Sequence, residues 1–430
     1  MTDKRVCTMA AGLVGSEILK IAADIRAMQA SGTEVCNLTV GDFSPKEFPI
    51  PQFLQDGIVA ALQAGETNYP PSDGVPQLRE AVRRFYQRTL GLDYPLESIL
   101  ITAGSRPGIY STYTAIVDPG DVVVYPAPSW NNNHYVHMAG ARGVPIVCDE
   151  RSAFLPTRAD LEPVIRGARL LALNSPLNPS GTAFTAEALA DICDLVLEEN
   201  ARRGPDERPL YVMYDQVYWM ITFGGTQHVN PVSLRPEMRE YTVFIDGISK
   251  AFAATGVRVG WTVGPADVTR RMAGILGHVG AWAPRAEQVA TARLLDDAGE
   301  IERYHATMLR DVQDRLDALY EGFSRLAERG YPVSAIPPMG AIYLSLRIAL
   351  HGWRTPGGEV LRTNEEIRRY LLDAAGLALV HFQAFGMLED TGWFRASVGA
   401  VSLPMIAAMF ERLTPALEAL RPADEAAAAD

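Results

Sequence analysis

The feature that most constrains this chain is an alternation between residues 97 and 249. Apolar runs recur at 97-ESILITAG, 121-DVVVYPAP, 144-VPIVCDE, 169-RLLALNSP, 209-PLYVMYDQ and 241-YTVFIDGIS. Stretches with helical spacing lie between most of them, such as 184-FTAEALADICDLVLEENARR-203. A strand with one wet face alternates polar and apolar residues, and these runs do not. They need cover on both faces, and the intervening helices supply it. The expected fold is α/β, a mainly parallel central sheet sandwiched by helices.

The rest of the chain fills out a second, smaller α+β unit. A length of 430 residues fits one large domain plus a smaller one. Residues 14–31 carry apolar positions at helical spacing, with Ser16 as N-cap. A short strand is expected within 34-EVCNLTVGDFSP-45, breaking at Gly41, then helices over 51–64 and 76–90. A long helical stretch covers 296–328. Strand-like segments follow within 332-PVSAIPPMGAIYLSLRI-348 and at 393-WFRASVGA-400. The expected division is 1–48 as the N-terminal part of the small domain, 49–305 as the large domain and 306–420 as the C-terminal part of the small one. The Ala- and acid-rich tail 421–430 is expected to fray.

Composition narrows the partners. Hydrophobic residues make up 48%, enough for a large core, and the net charge is −12. An acidic chain argues against a nucleic-acid partner. Cys7, Cys36, Cys148 and Cys193 are scattered with no CxxC, as reduced thiols are, and the first twenty residues hold no apolar stretch of signal-peptide or membrane-span length. The cytoplasm is the expected compartment, with no membrane contact.

In an open α/β sheet, ligands sit beyond the carboxyl ends of the strands. Ser105-Arg106-Pro107 follows the first run and Ser129-Trp130-Asn131 the second. Asn178-Pro179-Ser180-Gly181, Asp215 with Tyr218, and Ser249-Lys250 with Arg258 follow three others. Each has a plain reading: a solvated lysine, a helix cap, a stock turn, a core tryptophan. Their convergence describes a site for a phosphorylated aromatic cation. The Ser105 hydroxyl and the amides opening a helix over 107–117 suit a phosphate, as do Ser249 and the Arg258 fork. Trp130 offers a face for a flat ring, Asp215 a counter-charge for a ring nitrogen, and Asn178 and Tyr218 hydrogen bonds to a ring oxygen. Lys250 offers an amine for a Schiff base.

These residues resemble the pyridoxal-phosphate aminotransferases of fold type I, class I and II, from about Ser16 to Leu420. The motifs are Tyr69 with 74-GVPQLREA-81, 178-NPSG-181, 215-DQVY-218, 249-SK-250 with Arg258, and Arg395 in 394-FRASVG-399. The resemblance implies that Lys250 holds pyridoxal 5'-phosphate as an aldimine and acts as the catalytic base. It implies that Asp215 pairs with the ring nitrogen and Tyr218 and Asn178 with the ring oxygen. Trp130 would stack on the ring, and Ser105, Arg106, Ser249 and Arg258 would surround the phosphate end. Tyr69 would reach the phosphate of a neighbouring subunit, making a homodimer with shared sites. Arg395 would clamp the substrate α-carboxylate, with Gly41, Trp130 and Asn178 beside it. The implied reaction is ping-pong transfer of an amino group from an L-amino acid to a 2-oxo acid.

Substrate is harder to read. Arg106 is the candidate partner for a side-chain carboxylate, because bacterial aspartate and prephenate aminotransferases, which this chain resembles, carry a lysine there. Aspartate or glutamate is the expected donor. Aromatic, alanine-type or specialised biosynthetic amino acids are alternatives, as is a lyase, decarboxylase or cyclase reaction on the same cofactor. His381 and Phe382 in 380-VHFQAFG-386, and the insert 350–366, depart from the family pattern and are expected to shape the site's mouth. A regulator half, a nucleotide binder and a metal site at His134 and His137 are weaker readings. The first lacks a basic DNA-binding segment, the second a phosphate-loop motif, the third a carboxylate ligand.

Overall fold

The computed structural model describes residues 5–13, 21, 25, 28, 32 and 34–423. Most of the helix expected over 14–31, including Ser16, lies outside the described residues, as does the tail from 424 onward. Strand β1 (Cys36–Asn37) is shorter than expected. The Asn37 side chain draws the chain into a turn by accepting from the amide and hydroxyl of Thr39 at 3.1 and 2.6 Å.

The central sheet is built from β2 (Ile99–Thr102), β3 (Val122–Ala127), β4 (Arg142–Val147), β5 (Ala168–Asn174), β6 (Tyr211–Asp215), β7 (Thr242–Gly247) and β8 (Gly260–Val263). The order is β2-β8-β7-β6-β5-β3-β4. All neighbours are parallel except β8, which runs antiparallel to both β2 and β7. The six apolar runs became six of these strands. The seventh, β8 (260-GWTV), lies outside those six runs.

The pleat explains why the runs are continuously apolar. On β6, Val212 and Tyr214 join the main core while Tyr211 and Met213 join a separate cluster on the other face. On β7, Phe244 takes the first side and Val243 and Ile245 the second. Every second residue faces each side, and both sides are covered. The helix Pro76–Leu90 packs on the main-core side, the helix Ser105–Ile116 on the other.

A second, antiparallel sheet has the order β13-β14-β10-β9. It comprises β9 (Val333–Ala335), β10 (Tyr343–Ile348), β13 (Val380–His381) and β14 (Trp393–Ser397). The helix Ala298–Glu328 buries Val312, Leu316, Leu319 and Phe323 in the core shared with β10 and β14. It does not start at 296. Asp297 caps it, accepting from the Glu300 amide at 3.0 Å, and separates it from the helix Arg285–Asp296. Between β10 and β13 lie β11 (Trp353–Arg354) and β12 (Leu377–Ala378); β12 pairs with β1, and β11 with the terminal β15 (Arg421–Pro422). No helix among the described residues is long and apolar enough to cross a membrane.

Candidate active site

Beyond the carboxyl ends of β2, β5, β6 and β7 opens a cavity of about 660 Å³. Ser105, Arg106, Trp130, Asn178, Asp215, Tyr218, Ser249, Lys250, Arg258, Arg395 and Gly41 all line it. The residues singled out from the sequence are thus brought together, with one exception. Tyr69 is 82% exposed, does not line this cavity, and rests its ring edge-on against Trp282 at 5.2 Å.

One end of the cavity is built for an anion. The helix begins at Ser105, two residues earlier than expected, because Pro107 needs no amide donor in a first turn. Its N-cap is Gly104 (φ 82°), which offers no side chain to the free amides behind it. A Cβ at Gly104 would collide with the Arg258 guanidinium. Arg258 itself sits in the left-handed region (φ 60°, ψ 42°), a strained conformation for a non-glycine residue. It donates to the carbonyls of Thr255 and Ala103 at 2.6 and 2.8 Å and forms no ion pair among the described residues. Ser249 is buried beside it.

The cavity also holds a carboxylate. Asp215 ends β6 and faces the cavity. Its Oδ1 accepts from the Val217 amide at 3.1 Å, and it forms no ion pair among the described residues. Burial pushes its carboxyl up to about 7, against the pull of that amide and of Lys250. Lys250 Nζ donates to the Gly41 carbonyl at 2.7 Å. Burial lowers its ammonium to about 8, and Arg395, Arg106 and Arg258 push the same way while Asp42 opposes. The amine is therefore partly unprotonated near neutral pH.

Arg395 is 1% exposed on β14. Nη1 donates to Asn178 Oδ1 at 3.0 Å and Nη2 to the Thr39 carbonyl at 2.7 Å, while buried Nε has no partner among the described residues. Arg106 stands at the exposed rim with its guanidinium 4.5 Å from the Trp130 ring centroid.

Tyr343, Asp42 and Thr255 are among the lining residues that were missed. Tyr343 on β10 places its hydroxyl 2.6 Å from that of Tyr218. A tyrosine in the otherwise apolar run 341-AIYL was the available signal, since a buried phenol needs a partner. Asp42 accepts from the Thr255 hydroxyl at 2.6 Å, and nothing in the sequence pointed to that pair. Conversely, His381 and Phe382 do not shape the mouth. Both are buried; Phe382 packs with Phe154, Phe385 and Trp393, and His381 lies 3.7 Å from Glu365. The insert 350–366 is tied to β15 and lines no part of the cavity. His137 bonds the Met9 carbonyl, and the described residues hold no metal-binding cluster.

The family of class I and II aminotransferases matches residues 33–413. The chain belongs to that family. An aspartate aminotransferase of Rhizobium meliloti is 31% identical over 408 residues, which is 94% of each chain. The solved aspartate aminotransferase of Rhizobium meliloti superposes with a TM-score of 0.88 at 29% identity, covering 97% of this chain and 99% of that one. The aspartate aminotransferase of Thermus thermophilus, solved with maleate, gives 0.84 at 25% identity over 96% and 99%.

This aminotransferase is a fold type I enzyme dependent on pyridoxal phosphate. The cavity fits that group on three counts. The uncapped helix start beside Arg258 can take a phosphate dianion. The unpaired buried Asp215 lacks the cation that a protonated ring nitrogen supplies. Lys250 presents an amine whose ammonium burial lowers to about 8.

Proposed function

We propose that this aminotransferase takes a dicarboxylic L-amino acid, aspartate or glutamate, as donor. The observation that carries this is the second cation. With Arg258 assigned to the phosphate and Arg395 to the substrate α-carboxylate, Arg106 at the rim is left to meet a carboxylate on the side chain. The likeness to aspartate aminotransferases, one of them solved with the dicarboxylate maleate, supports the same reading.

Within it, Lys250 would hold the cofactor, and Ser105, Ser249, Arg258 and the amides at the helix start would hold its phosphate. Trp130 would cover one ring face, Asn178 and Tyr218 would donate to the ring oxygen, and Asp215 would keep the ring nitrogen protonated. When bound, the cofactor supplies an electron sink for the pair left by the departing α-proton. Arg395 fixes the amino acid by its carboxylate, and its bond to Asn178 ties that clamp to the ring-oxygen contact. Lys250 Nζ would accept the α-proton, a task for which an amine near neutrality is matched.

Two copies complete the site in this reading. Tyr69 and Val279 are 82% and 62% exposed, and Tyr69 contacts Trp282 three residues beyond Val279. That apolar face is the dimer contact, and it carries Tyr69 to the partner's phosphate. The four unpaired cysteines fit the reducing cytoplasm we assign to the enzyme. The large domain is the unit about the central sheet and the small domain the unit about the second sheet.

The deciding experiment mixes enzyme, L-aspartate and 2-oxoglutarate. Oxaloacetate and glutamate are expected in equal amounts. Pyruvate and ammonia without glutamate would mean elimination, and a preference for phenylalanine or alanine would remove Arg106 from its role. A colourless protein that cannot be loaded with pyridoxal phosphate would overturn the whole assignment.

A further inference from the structure

The roles above leave the Tyr343 hydroxyl unused. Tyr218 and Tyr343 stand hydroxyl to hydroxyl at 2.6 Å, and among the described residues neither hydroxyl makes another hydrogen bond. Burial pushes both phenols above the ordinary tyrosine range, so both carry their proton at neutral pH. Each has a single proton, so only one of them donates across the pair. If Tyr218 gives its proton to the cofactor's ring oxygen, the donor within the pair must be Tyr343.

We propose that Tyr343 is a positioning residue: its hydroxyl donates to Tyr218 and so commits the Tyr218 proton to the cofactor's ring oxygen, while its ring seats the Arg395 clamp. This rests on the placement of Tyr218 at the ring oxygen. Tyr343 is well fixed for the task. It lies on β10, flanked by β9 and β14. Its carbonyl stands where a Cβ of Gly181 would be, and Gly181 has φ 73°, so the 178-NPSG-181 turn is pressed onto it. Its hydroxyl lies 3.0 Å from the place a Cβ on Gly41 would take. The Arg395 guanidinium is 4.8 Å from the Tyr343 ring centroid and equally far from that of Phe385, which holds the cation between two faces. One side chain thus touches both the carboxylate clamp and the ring-oxygen donor.

The test titrates the visible absorption of the cofactor-loaded enzyme against pH. A hydrogen bond to an oxyanion favours its ionised form, so weakening it raises the midpoint. Tyr343→Phe is expected to raise the midpoint by about 0.3–1 pH unit. Tyr218→Phe should raise it at least as far, and the double variant should match Tyr218→Phe alone, because Tyr343 acts through Tyr218. The phenylalanine keeps the aromatic seat, so KM for the amino acid should stay within about threefold while kcat falls. Tyr343→Leu loses the seat too, and should raise KM about tenfold with the same midpoint shift; it also serves if the phenylalanine variant does not accumulate. A midpoint unmoved in both Tyr343 variants, with Tyr218→Phe shifted, would overturn the inference alone. A double variant that exceeds Tyr218→Phe would overturn it as well. No shift even in Tyr218→Phe would overturn the placement of Tyr218 and the inference with it.

Discussion

Asp215 and Asp246 sit near the ends of adjacent parallel strands, β6 and β7, and burial pushes both carboxyls up to about 7. They face opposite sides of the sheet. Asp246 points into the main core with Phe244 and is 1% exposed. There it accepts from the Gly247 amide at 2.7 Å, the Tyr86 hydroxyl at 2.9 Å and the Trp219 indole at 3.0 Å. Gln216 and Trp261 in turn donate to Tyr86 at 3.2 Å each. Asp215 has the Val217 amide and open cavity. One carboxylate is satisfied within the protein core; the other turns to the cavity. Missing donors, more than burial or a shifted pKa, separate a binding group from a structural one.

The widest break between the two faces lies at Lys250 on the cavity side. Lys250→Ala should lower turnover on the order of 10⁴-fold or more and abolish covalent attachment of the cofactor, read by kinetics and by absorbance after borohydride reduction. Asp215→Asn should lower turnover about 10²–10³-fold. Its effect on the cofactor-free protein has the opposite sign. The folded pKa of Asp215 lies above the unfolded one, so its contribution to stability is fullest below about pH 4 and is lost as pH rises through about 7. Asparagine keeps the bond from Val217 and removes the charge, so cofactor-free Asp215→Asn should gain about 1–3 kcal/mol at pH 8 by urea unfolding. A loss there would show that Asp215 is as well satisfied as Asp246.

Arg106→Ala should reduce kcat/KM for aspartate about 10²-fold and for alanine less than threefold. Equal losses on both substrates would take the second carboxylate away from Arg106. On the closed face, Asp246→Asn turns an amide toward the Tyr86 and Trp219 donors. It should cost about 1–3 kcal/mol of stability and leave kcat within about tenfold, measured on the loaded enzyme. The smallest effect is a pH slope. Capture of pyridoxal phosphate by the cofactor-free protein should speed up about tenfold per pH unit until about 8 and then level, since the Lys250 amine is the nucleophile and its ammonium is lowered from 10.5. A rise that continues to pH 10 would mean that the cavity does not desolvate the lysine.

The sequence made one face of this comparison readable and hid the other. Lys250, Asp215, Asn178 and Arg258 follow apolar runs, and strand ends are where an α/β sheet places ligands, so their convergence could be seen in one dimension. Asp246 lies inside such a run, and its donors come from residues 86 and 219, far off in the chain. No local pattern joins them. Tyr343 was hidden for the same reason, 125 residues from the hydroxyl it meets. The helix Pro76–Leu90 was legible to the residue, because Pro76 opens it and Gly91 closes it in the left-handed region. β8 was not, because four residues beginning in glycine carry too little signal. His381 looked like a mouth residue because it departs from the family pattern in 380-VHFQAFG-386, whereas it is buried on β13.

That short strand also limits how the chain can vary. Gly260 pairs with Gly247 on one side and with Thr102 on the other, so β8 is locked in two registers at once. The loop from Lys250 to Arg258 runs directly into it. One inserted or deleted residue would slide β8 by a position and turn Trp261 from the main core to the opposite face. The length of 251-AFAATGV-257 is frozen, because the spacing between the lysine and the arginine is also the spacing that stitches the two halves of the sheet together.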